Sequence, residues 1–272
     1  LLDAHGATLA EDVYAGDRLV LRSGTRIRST QIGLAASIGR DHLPTRPHPR
    51  VVVLSAGPDL VEPGQPLKND SDEYETNSWL LTTAVREVGA VAYRVHSIPD
   101  DEAQLQKVIE DQLVRADLII ISGERNDDSF DLISRTLAGL GAITTVDMAI
   151  ESSGRHKFGS IGPDNTPVVT LPGDPIAAYI SFELFVRPMI RTMLGAATIH
   201  RPSVKAALEK PIESTVGMRS YIRGILADDG KSVTPLADQD EQSTLSDANA
   251  FIAVSETDTS LKTGDQVTVV VL

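Results

Sequence analysis

The sequence has no cysteine among its 272 residues, so neither a disulfide bond nor a cysteine-ligated metal is possible. No apolar run approaches the roughly 20 residues that a membrane-spanning helix requires. No signal-like segment opens the chain, which begins at Leu1 rather than at methionine. We therefore expect a cytoplasmic protein that does not insert into membranes, and a chain that is a fragment of a longer one.

Positive charge is also scarce. The chain has 25 Lys and Arg against 38 Asp and Glu, which gives a formal net charge of −13. Because such a chain repels phosphate backbones and anionic lipids, we expect no nucleic-acid partner. The six histidines are scattered without metal-ligand spacing. The sequence also lacks a P-loop, a nucleophile elbow and a Ser-His-Asp signature.

What the sequence does contain is an alternation of strand and helix patterns between residues 51 and 198. "VVVL" at 51–54 is a continuous apolar run of the kind that is buried on both faces of a sheet. "DDEAQLQKVIEDQLV" is an amphipathic helix that Asp101 can cap. Repeated units of this kind predict an α/β domain with a parallel central sheet and helices on both faces, three layers in all. Function in such folds usually lies at the carboxyl ends of the strands.

Two further segments flank this region. Residues 1–28 are rich in turns and short strands, and the α/β segment at 29–198 opens with a helix that Ser29 or Thr30 can cap and Gly39 can end. Residues 40–50 read as a proline-rich linker. Residues 199–272 alternate as short strands and predict a small separate β-domain, while Pro188 predicts a kink in the long helix before it.

Two predicted strands end in glycine-containing turns. "LPGDPIAAY" makes Asp174 a helix N-cap and Pro175 the first helical residue, with backbone N–H groups that could hold an anion. A plain structural cap explains the same residues. "VVVLSAGPDL" ends a strand with Ser55 and Gly57, which fits an ordinary turn as well as a binding site.

Acidic residues follow other strands. In "LIIISGERNDDSFDLI", residues 118–133, Asp131 lies one turn inside a predicted helix, and Glu75 and Asn77 open another helix after an acidic loop. Carboxylates at strand ends could hold Mg²⁺, which prefers oxygen ligands. They could equally be solvated helix starts that the helix dipole favours.

Taken in order, these motifs resemble those of the MoeA/gephyrin family of molybdopterin molybdenumtransferases over nearly the whole chain. "VVVLSAGPDL" is similar to the family's S-T-G-[DN]-E-L, "YETNSWLL" to its D-[ST]-N helix start and "LPGDPIAAY" to L-P-G-N-P-V-[SA]-A. "ADLIIISGERNDDSFD" stands where the family has S-G-G-V-S-x-G-x-x-D after a strand. The resemblance implies that residues 1–28 are the remnant of a β-rich N-terminal domain and that residues 199–272 form a β-barrel.

The resemblance also implies an activity. The family inserts molybdate into adenylylated molybdopterin with Mg²⁺ present, as a homodimer. Asp131 and Glu75 are the implied catalytic and metal-linked residues. The implied cofactor-binding positions are Ser55, Gly57, Asn77, Ser122, Gly123, Pro172, Gly173, Asp174 and Pro175.

Several positions depart from the family pattern. Glu124 and Asp128 replace glycines of the strand-end loop, and Glu151 stands at a family lysine. Glycine lets the backbone approach an anion closely. Two like charges about 4 Å apart repel by roughly 4 kcal/mol at an effective dielectric constant of 20. We expect these changes to oppose tight anion binding unless a metal bridges the charges.

These departures support a second hypothesis, a gephyrin-like scaffold that has lost catalysis and binds a peptide segment of a protein partner. A bacterial cytoskeletal or division protein is one example. The peptide would dock at the junction of the α/β domain and the C-terminal β-domain. The acidic surface would favour a peptide that carries Lys or Arg. The predicted peptide-binding residues are His48, Pro49, Arg50, Met218 and Tyr221. A sugar- or nucleotide-phosphate enzyme is a third reading, which no motif supports.

Overall fold

The computed structural model describes residues 1–57, 59–98, 101–124, 127–237, 239 and 241–272, with the backbone alone at residues 96–98, 124 and 127–130. The N-terminal segment contains a 3₁₀ turn at Leu2–Ala4, strands β1 (Val13–Ala15) and β2 (Arg18–Leu21), and helix α1 (Ser29–Ser37). The segment has its own apolar cluster, to which β1, β2, α1 and Leu43 all contribute. The predicted domain boundary after residue 28 divides this cluster, because α1 packs with the hairpin.

A six-stranded sheet forms the centre of the α/β domain, in the order β6-β3-β7-β10-β9-β8. The strands of this domain, including the short parallel pair β4 and β5 outside the sheet, are β3 (Arg50–Ala56), β4 (Leu60–Val61), β5 (Glu73–Tyr74), β6 (Val91–Ile98), β7 (Leu118–Glu124), β8 (Gly141–Asp147), β9 (Arg155–Ile161) and β10 (Thr166–Pro172). Strands β6, β3, β7 and β10 are parallel, but β9 is antiparallel to both of its neighbours. The α/β class is confirmed, and the sheet is rich in parallel strands rather than wholly parallel.

Helices cover both faces of this sheet. The helices of the domain are α2 (Asn77–Val88), α3 (Glu102–Leu113), α4 (Asp127–Leu140), α5 (Pro175–Ser181) and α6 (Arg187–Met193). One apolar cluster joins the sheet to α2 and to the long helix that contains α5 and α6, and a second joins the opposite face to α3 and α4. Asp101 caps α3 by accepting a hydrogen bond from the Gln104 amide at 2.7 Å, as predicted. The three-layer arrangement is confirmed.

The long helix accommodates Pro188 with a π-helical turn at Phe182–Val186, between α5 and α6. Proline has no N–H to donate to the preceding turn and its ring crowds the carbonyl four residues earlier. A wider turn before Pro188 relieves that conflict without ending the helix. The sequence analysis predicted a kink at Pro188; the structure shows that the helix widens over the residues before it.

The C-terminal unit is a closed five-stranded barrel in the order β11-β14-β13-β15-β17, so its main strands leave no open edge. Val233, Ile252 and Val269 are fully buried in its core. The predicted β-barrel is confirmed. Its elements are β11 (Ser203–Leu208), β12 (Ile212–Glu213), β13 (Ser220–Leu226), β14 (Ser232–Pro235), α7 (Ser243–Asp247), β15 (Ala250–Val254), β16 (Ser260–Leu261) and β17 (Gln266–Val271).

The barrel packs against the long helix through aromatic and ionic contacts. The rings of Tyr179 and Phe251 meet edge to face with centroids 6.2 Å apart, within an apolar cluster that includes Ile176 and Ile180.

None of the helices in the described part of the chain is long and apolar enough to cross a bilayer.

Candidate functional site

The carboxyl ends of β3, β7 and β10 meet at one edge of the sheet. Ser55 pairs with Ser122 across β3 and β7, and Leu171 pairs with Ser122 across β7 and β10. Both serines are buried, with at most 1% of their surface exposed. The regular pairing slips just beyond them, between Leu171 and Pro172, because Pro172 pairs with Glu124 and Gly123 is left as an extra residue. This edge therefore combines buried hydroxyls with an irregularity in the strand pairing at Gly123.

Asn77, the first residue of α2, ties this edge together. Its Nδ2 donates hydrogen bonds to Ser122 Oγ at 2.7 Å and to the Gly173 carbonyl at 2.8 Å. A carbonyl can only accept, so these contacts fix the orientation of the amide. Its Oδ1 is buried and has no hydrogen-bond partner among the residues that the structure describes. Such an orphaned acceptor costs about 1–3 kcal/mol, which a bound donor would recover.

A small, solvent-open cleft lies at this point. Five of the predicted cofactor-binding residues line it, and the other four lie beside it. A Cβ at Gly57 would lie 3.0 Å from the lining residue Leu60, Ser122 precedes Gly123, and Pro172 precedes Gly173. Asp174 caps α5 through the Ala177 amide. The lining residues are Ser55, Leu60, Glu75, Thr76, Asn77, Gly123, Gly173 and Pro175. Leu60 and Thr76 were missing from the sequence-based prediction. The walls are largely neutral and present hydroxyl, amide and backbone groups.

Glu75 does not fit a metal ligand in this arrangement. It is 1% exposed, and its carboxylate caps α2 by accepting hydrogen bonds from the amide and the hydroxyl of Ser78. Its Oε2 also lies 3.2 Å from an Arg94 guanidinium nitrogen. Because both oxygens are engaged, the carboxylate has little capacity left for a cation.

Asp131 lies on α4 with its side chain exposed. Within the described residues no group of three or more metal-ligating side chains is present. Residues 125 and 126 of the loop before α4, and the side chains of Glu124 and Asp128, lie outside what the structure describes. The assignment of Asp131 to a metal stays a prediction.

A second, larger cleft of about 380 Å³ lies between the α/β domain and the barrel. Its lining includes Glu151, Asp174 and Tyr221. Glu151 accepts hydrogen bonds from Thr215 Oγ1 at 2.8 Å and from Ser220 Oγ at 2.5 Å, both in the C-terminal unit. The acid at the family's lysine position therefore joins the two domains.

The residues predicted to bind a peptide are not brought together. His48, Pro49 and Arg50 lie at the amino end of β3, where Arg50 pairs with Asp117 at 2.9 Å. Tyr221 lines the interdomain cleft with Asp174, beyond the carboxyl end of β10, and Met218 precedes the strand of Tyr221. The seven residues of β3 span about 20 Å, so the two groups occupy opposite edges of the sheet. The predicted five-residue groove is wrong because both groups were assigned to a single junction.

A buried polar group supports the loop that carries Glu151. The Nε2 atom of His156 lies 3.0 Å from Ser181 Oγ, which lies 2.9 Å from Ser153 Oγ. His156 also stacks on Phe158 with ring centroids 6.0 Å apart. Burial lowers the pKa of His156, the hydrogen bond that its Nδ1 donates to the Gly154 carbonyl opposes this shift in part, and the nearby charge of Lys157 lowers the pKa further. The folded protein therefore holds His156 neutral.

This burial predicts a loss of stability in mild acid. The unfolded chain protonates His156 below about pH 6.5, while the folded chain resists protonation until a lower pH, so the free energy of unfolding falls as the pH drops from 7 towards 5. Urea denaturation at pH 7.5 and 5.5 measures the change. His156→Phe should reduce the pH dependence, and His200→Gln, at an exposed position, should leave it unchanged. An equal dependence in all three proteins would contradict the assignment.

Comparison with known proteins gives consistent matches. Residues 52–192 match a family model described as a probable molybdopterin binding domain, and residues 205–272 match the MoeA C-terminal region, domain IV. Molybdopterin molybdenumtransferase 1 of Mycobacterium tuberculosis is 32% identical over 271 residues, which cover 96% of this chain and 63% of that protein. Molybdopterin molybdenumtransferase 2 of the same organism is 36% identical over 222 residues, which cover 79% of this chain and 54% of that protein.

A solved structure shares the fold. The molybdopterin biosynthesis MoeA protein of Pyrococcus horikoshii superposes with a TM-score of 0.81 at 27% identity, covering 93% of this chain and 62% of that chain. The chain thus spans less than two thirds of the length of each of these relatives.

Proposed function

The chain belongs to the MoeA family, and from that premise we propose that it binds molybdopterin at the carboxyl ends of β3, β7 and β10 and takes part in inserting molybdate into the adenylylated form of that ligand. The observation that carries this proposal is Asn77 Oδ1, an orphaned acceptor in a residue that lines the cleft. A pterin presents ring N–H groups, which are donors of the kind this acceptor lacks. The neutral hydroxyls and backbone groups around it suit the remaining polar atoms of such a ligand.

Of the acids that were expected to repel an anion, Glu151 is engaged elsewhere, and the side chains of Glu124 and Asp128 lie outside what the structure describes. Arg94 pairs with Glu75, and Glu151 accepts hydrogen bonds from two hydroxyls of the C-terminal unit. Asp174 caps α5. The starts of α2 and α5 contribute N–H groups and positive dipole ends at the same edge. These partners weaken the charge argument against binding an anionic pterin.

Two further properties of the family stay predictions for this chain. Among the described residues no group of three or more possible metal ligands is present, and both oxygens of Glu75 already accept hydrogen bonds or pair with Arg94. We also propose a homodimer, since the family resemblance implies one, and light scattering coupled to size exclusion tests it.

No observation favours the peptide-binding scaffold, whose predicted residues lie at opposite edges of the sheet.

Calorimetric titration with molybdopterin tests the proposed function. We expect binding at micromolar concentration or tighter, and the absence of binding at millimolar concentration would contradict the proposal. Asn77→Asp replaces the Nδ2 donor to Gly173 by a charged oxygen, so we expect at least a tenfold weaker affinity, about 1.4 kcal/mol. Asn69→Ala changes an exposed amide in the loop before α2 and serves as the matched control, with an expected change below about twofold.

A further inference from the structure

Arg94 lies outside the cleft but contacts both segments that form one of its sides. It is on β6, on the sheet face that carries α2, and its side chain is 13% exposed. One of its terminal nitrogens lies 2.5 Å from Glu62 Oε1 and 3.2 Å from Glu75 Oε2. Its Nε donates a hydrogen bond to Ser78 Oγ at 2.6 Å.

Glu62 belongs to the first of these segments. The loop that follows β3 carries Leu60, which lines the cleft, and Glu62 comes two residues later. Pairing of β4 with β5 holds the two ends of this loop together, with the Glu75 amide donating to the Val61 carbonyl at 2.8 Å. The Arg94–Glu62 contact therefore anchors the Leu60 side of the cleft to the edge strand of the sheet.

Glu75 and Ser78 belong to the second segment. They flank Thr76 and Asn77, both of which line the cleft. Thr76, at the N-cap position of α2, makes no capping hydrogen bond with its side chain, and the Glu75 carboxylate caps the helix through the Ser78 amide at 2.7 Å. The guanidinium that balances this buried carboxylate belongs to Arg94, so Arg94 supports the helix start from which the Asn77 amide projects.

We propose that Arg94 is a positioning residue that sets the width of the ligand cleft and fixes the Asn77 amide within it. This inference rests on the proposed ligand site, although Arg94 itself does not line the cleft. One guanidinium joins the loop after β3 to the start of α2, so the two segments cannot move apart without breaking an ion pair. Losing the guanidinium leaves the 1% exposed Glu75 carboxylate without that counter-charge, two residues before Asn77, whose amide joins the ends of β7 and β10.

The chain carries a reporter for this arrangement. Trp79 is the single tryptophan, and the Arg94 guanidinium lies 4.1 Å from its ring centroid in a cation–π contact. Because Trp79 is 51% exposed and follows Ser78 in the first turn of α2, its emission reports the Arg94 network and no other tryptophan interferes. The network is therefore observable without a ligand.

The test compares Arg94→Met with Arg115→Met in the full chain. Arg115 is the matched control, since its guanidinium lies 4.5 Å over the Tyr93 ring and bonds Gln112, which does not line the cleft. We expect Arg94→Met to weaken molybdopterin binding by ten- to a hundredfold and to shift the Trp79 emission maximum. Arg115→Met should change the affinity by less than about threefold and leave the emission unchanged. Unchanged affinity in a folded Arg94→Met protein would overturn the proposal.

Rescue and a ligand-free readout separate positioning from simple stability. Adding Glu75→Gln to Arg94→Met removes the buried charge and keeps an amide oxygen that can cap α2, so we expect it to recover at least part of the lost affinity. If wild-type protein does not bind molybdopterin, the proposed function fails, and hydrogen exchange at residues 60–62 and 76–78 then decides on Arg94 alone. Faster exchange there in Arg94→Met, but not in Arg115→Met, would support the positioning role. Equal exchange in both variants would reject it.

Discussion

Gly123→Ala is expected to destabilise the protein by about 3–5 kcal/mol and to abolish ligand binding at the cleft. Gly123 has a φ of +138°, which residues with a Cβ rarely adopt, and a Cβ built there would lie 1.9 Å from the Ala56 carbonyl oxygen. The neighbouring atom is backbone of β3 in the centre of the sheet, so it cannot rotate away. β3 and β7 would have to separate at the point where Ser55 pairs with Ser122.

Denaturant unfolding and calorimetry measure the two parts of this prediction. Gly139→Ala is the matched control, because Gly139 lies within α4 and a Cβ there meets nothing within 4 Å. The control should stabilise the protein by about 0.5–1 kcal/mol, since alanine is the better helix former. Wild-type stability and binding in Gly123→Ala would show that the strand ends can part freely at this edge.

The strand-end site was largely predictable because its signals are local. A strand pattern followed by a glycine and a helix cap indicates which edge of a parallel-rich sheet a residue occupies, and Ser55, Asn77, Gly123 and Gly173 were all assigned to that edge correctly. Asp101 and Asp174 cap helices as their sequence context indicated. Signals of this kind need only a few residues of context.

Contacts across the fold were not predictable in the same way. Glu151 was interpreted as a charge opposing the ligand, but the hydroxyls it contacts lie 64 and 69 residues further along the chain. His48, Pro49 and Arg50 were assigned to the junction with the barrel although they lie at the opposite edge of the sheet. Motif spacing does not report the distance between two elements that are far apart in sequence.

Arg94 carried a weak signal that a motif search misses. In "VAYRVHSI", Ala92 and Arg94 share one face of β6, and Ala92 is buried beneath α2. An arginine on the helix-covered face of a strand needs counter-charges, and acidic residues are plentiful between residues 59 and 75. Alternation along the strand identifies the anomaly, but the structure is needed to identify Glu62 and Glu75 as its partners.

The second large effect concerns the attachment of the barrel. Glu183→Leu is expected to cost roughly 3 kcal/mol, because it removes the carboxylate that pairs with Arg201 at 2.8 and 2.9 Å. Glu183 also lies 3.6 Å from Arg187, and its side chain is 5% exposed. Removing it leaves two mostly buried guanidinium groups close to each other without this counter-charge. Denaturant unfolding followed by circular dichroism measures the loss.

The two arginines respond differently to Glu183, which identifies the partner that matters. Hydrogen bonding to Glu183 raises the pKa of Arg201, whereas burial, together with the charge of Arg201, lowers the pKa of Arg187. The carboxylate therefore serves mainly Arg201, which lies two residues before β11. We expect Glu183→Leu to loosen the barrel first, so that proteases cut between residues 195 and 202 before the α/β domain unfolds.

An exposed ion pair of the same chemistry provides the comparison. Glu256→Leu breaks a pair with Arg219 in which both side chains are 49% exposed, so its expected cost is below about 1 kcal/mol. Adding Arg201→Met to Glu183→Leu removes one uncompensated charge and should recover much of the lost stability. If Glu183→Leu cost no more than Glu256→Leu, the apolar contact of Tyr179 with Phe251 would be sufficient to hold the barrel, and the buried carboxylate would have no measurable part in joining the domains.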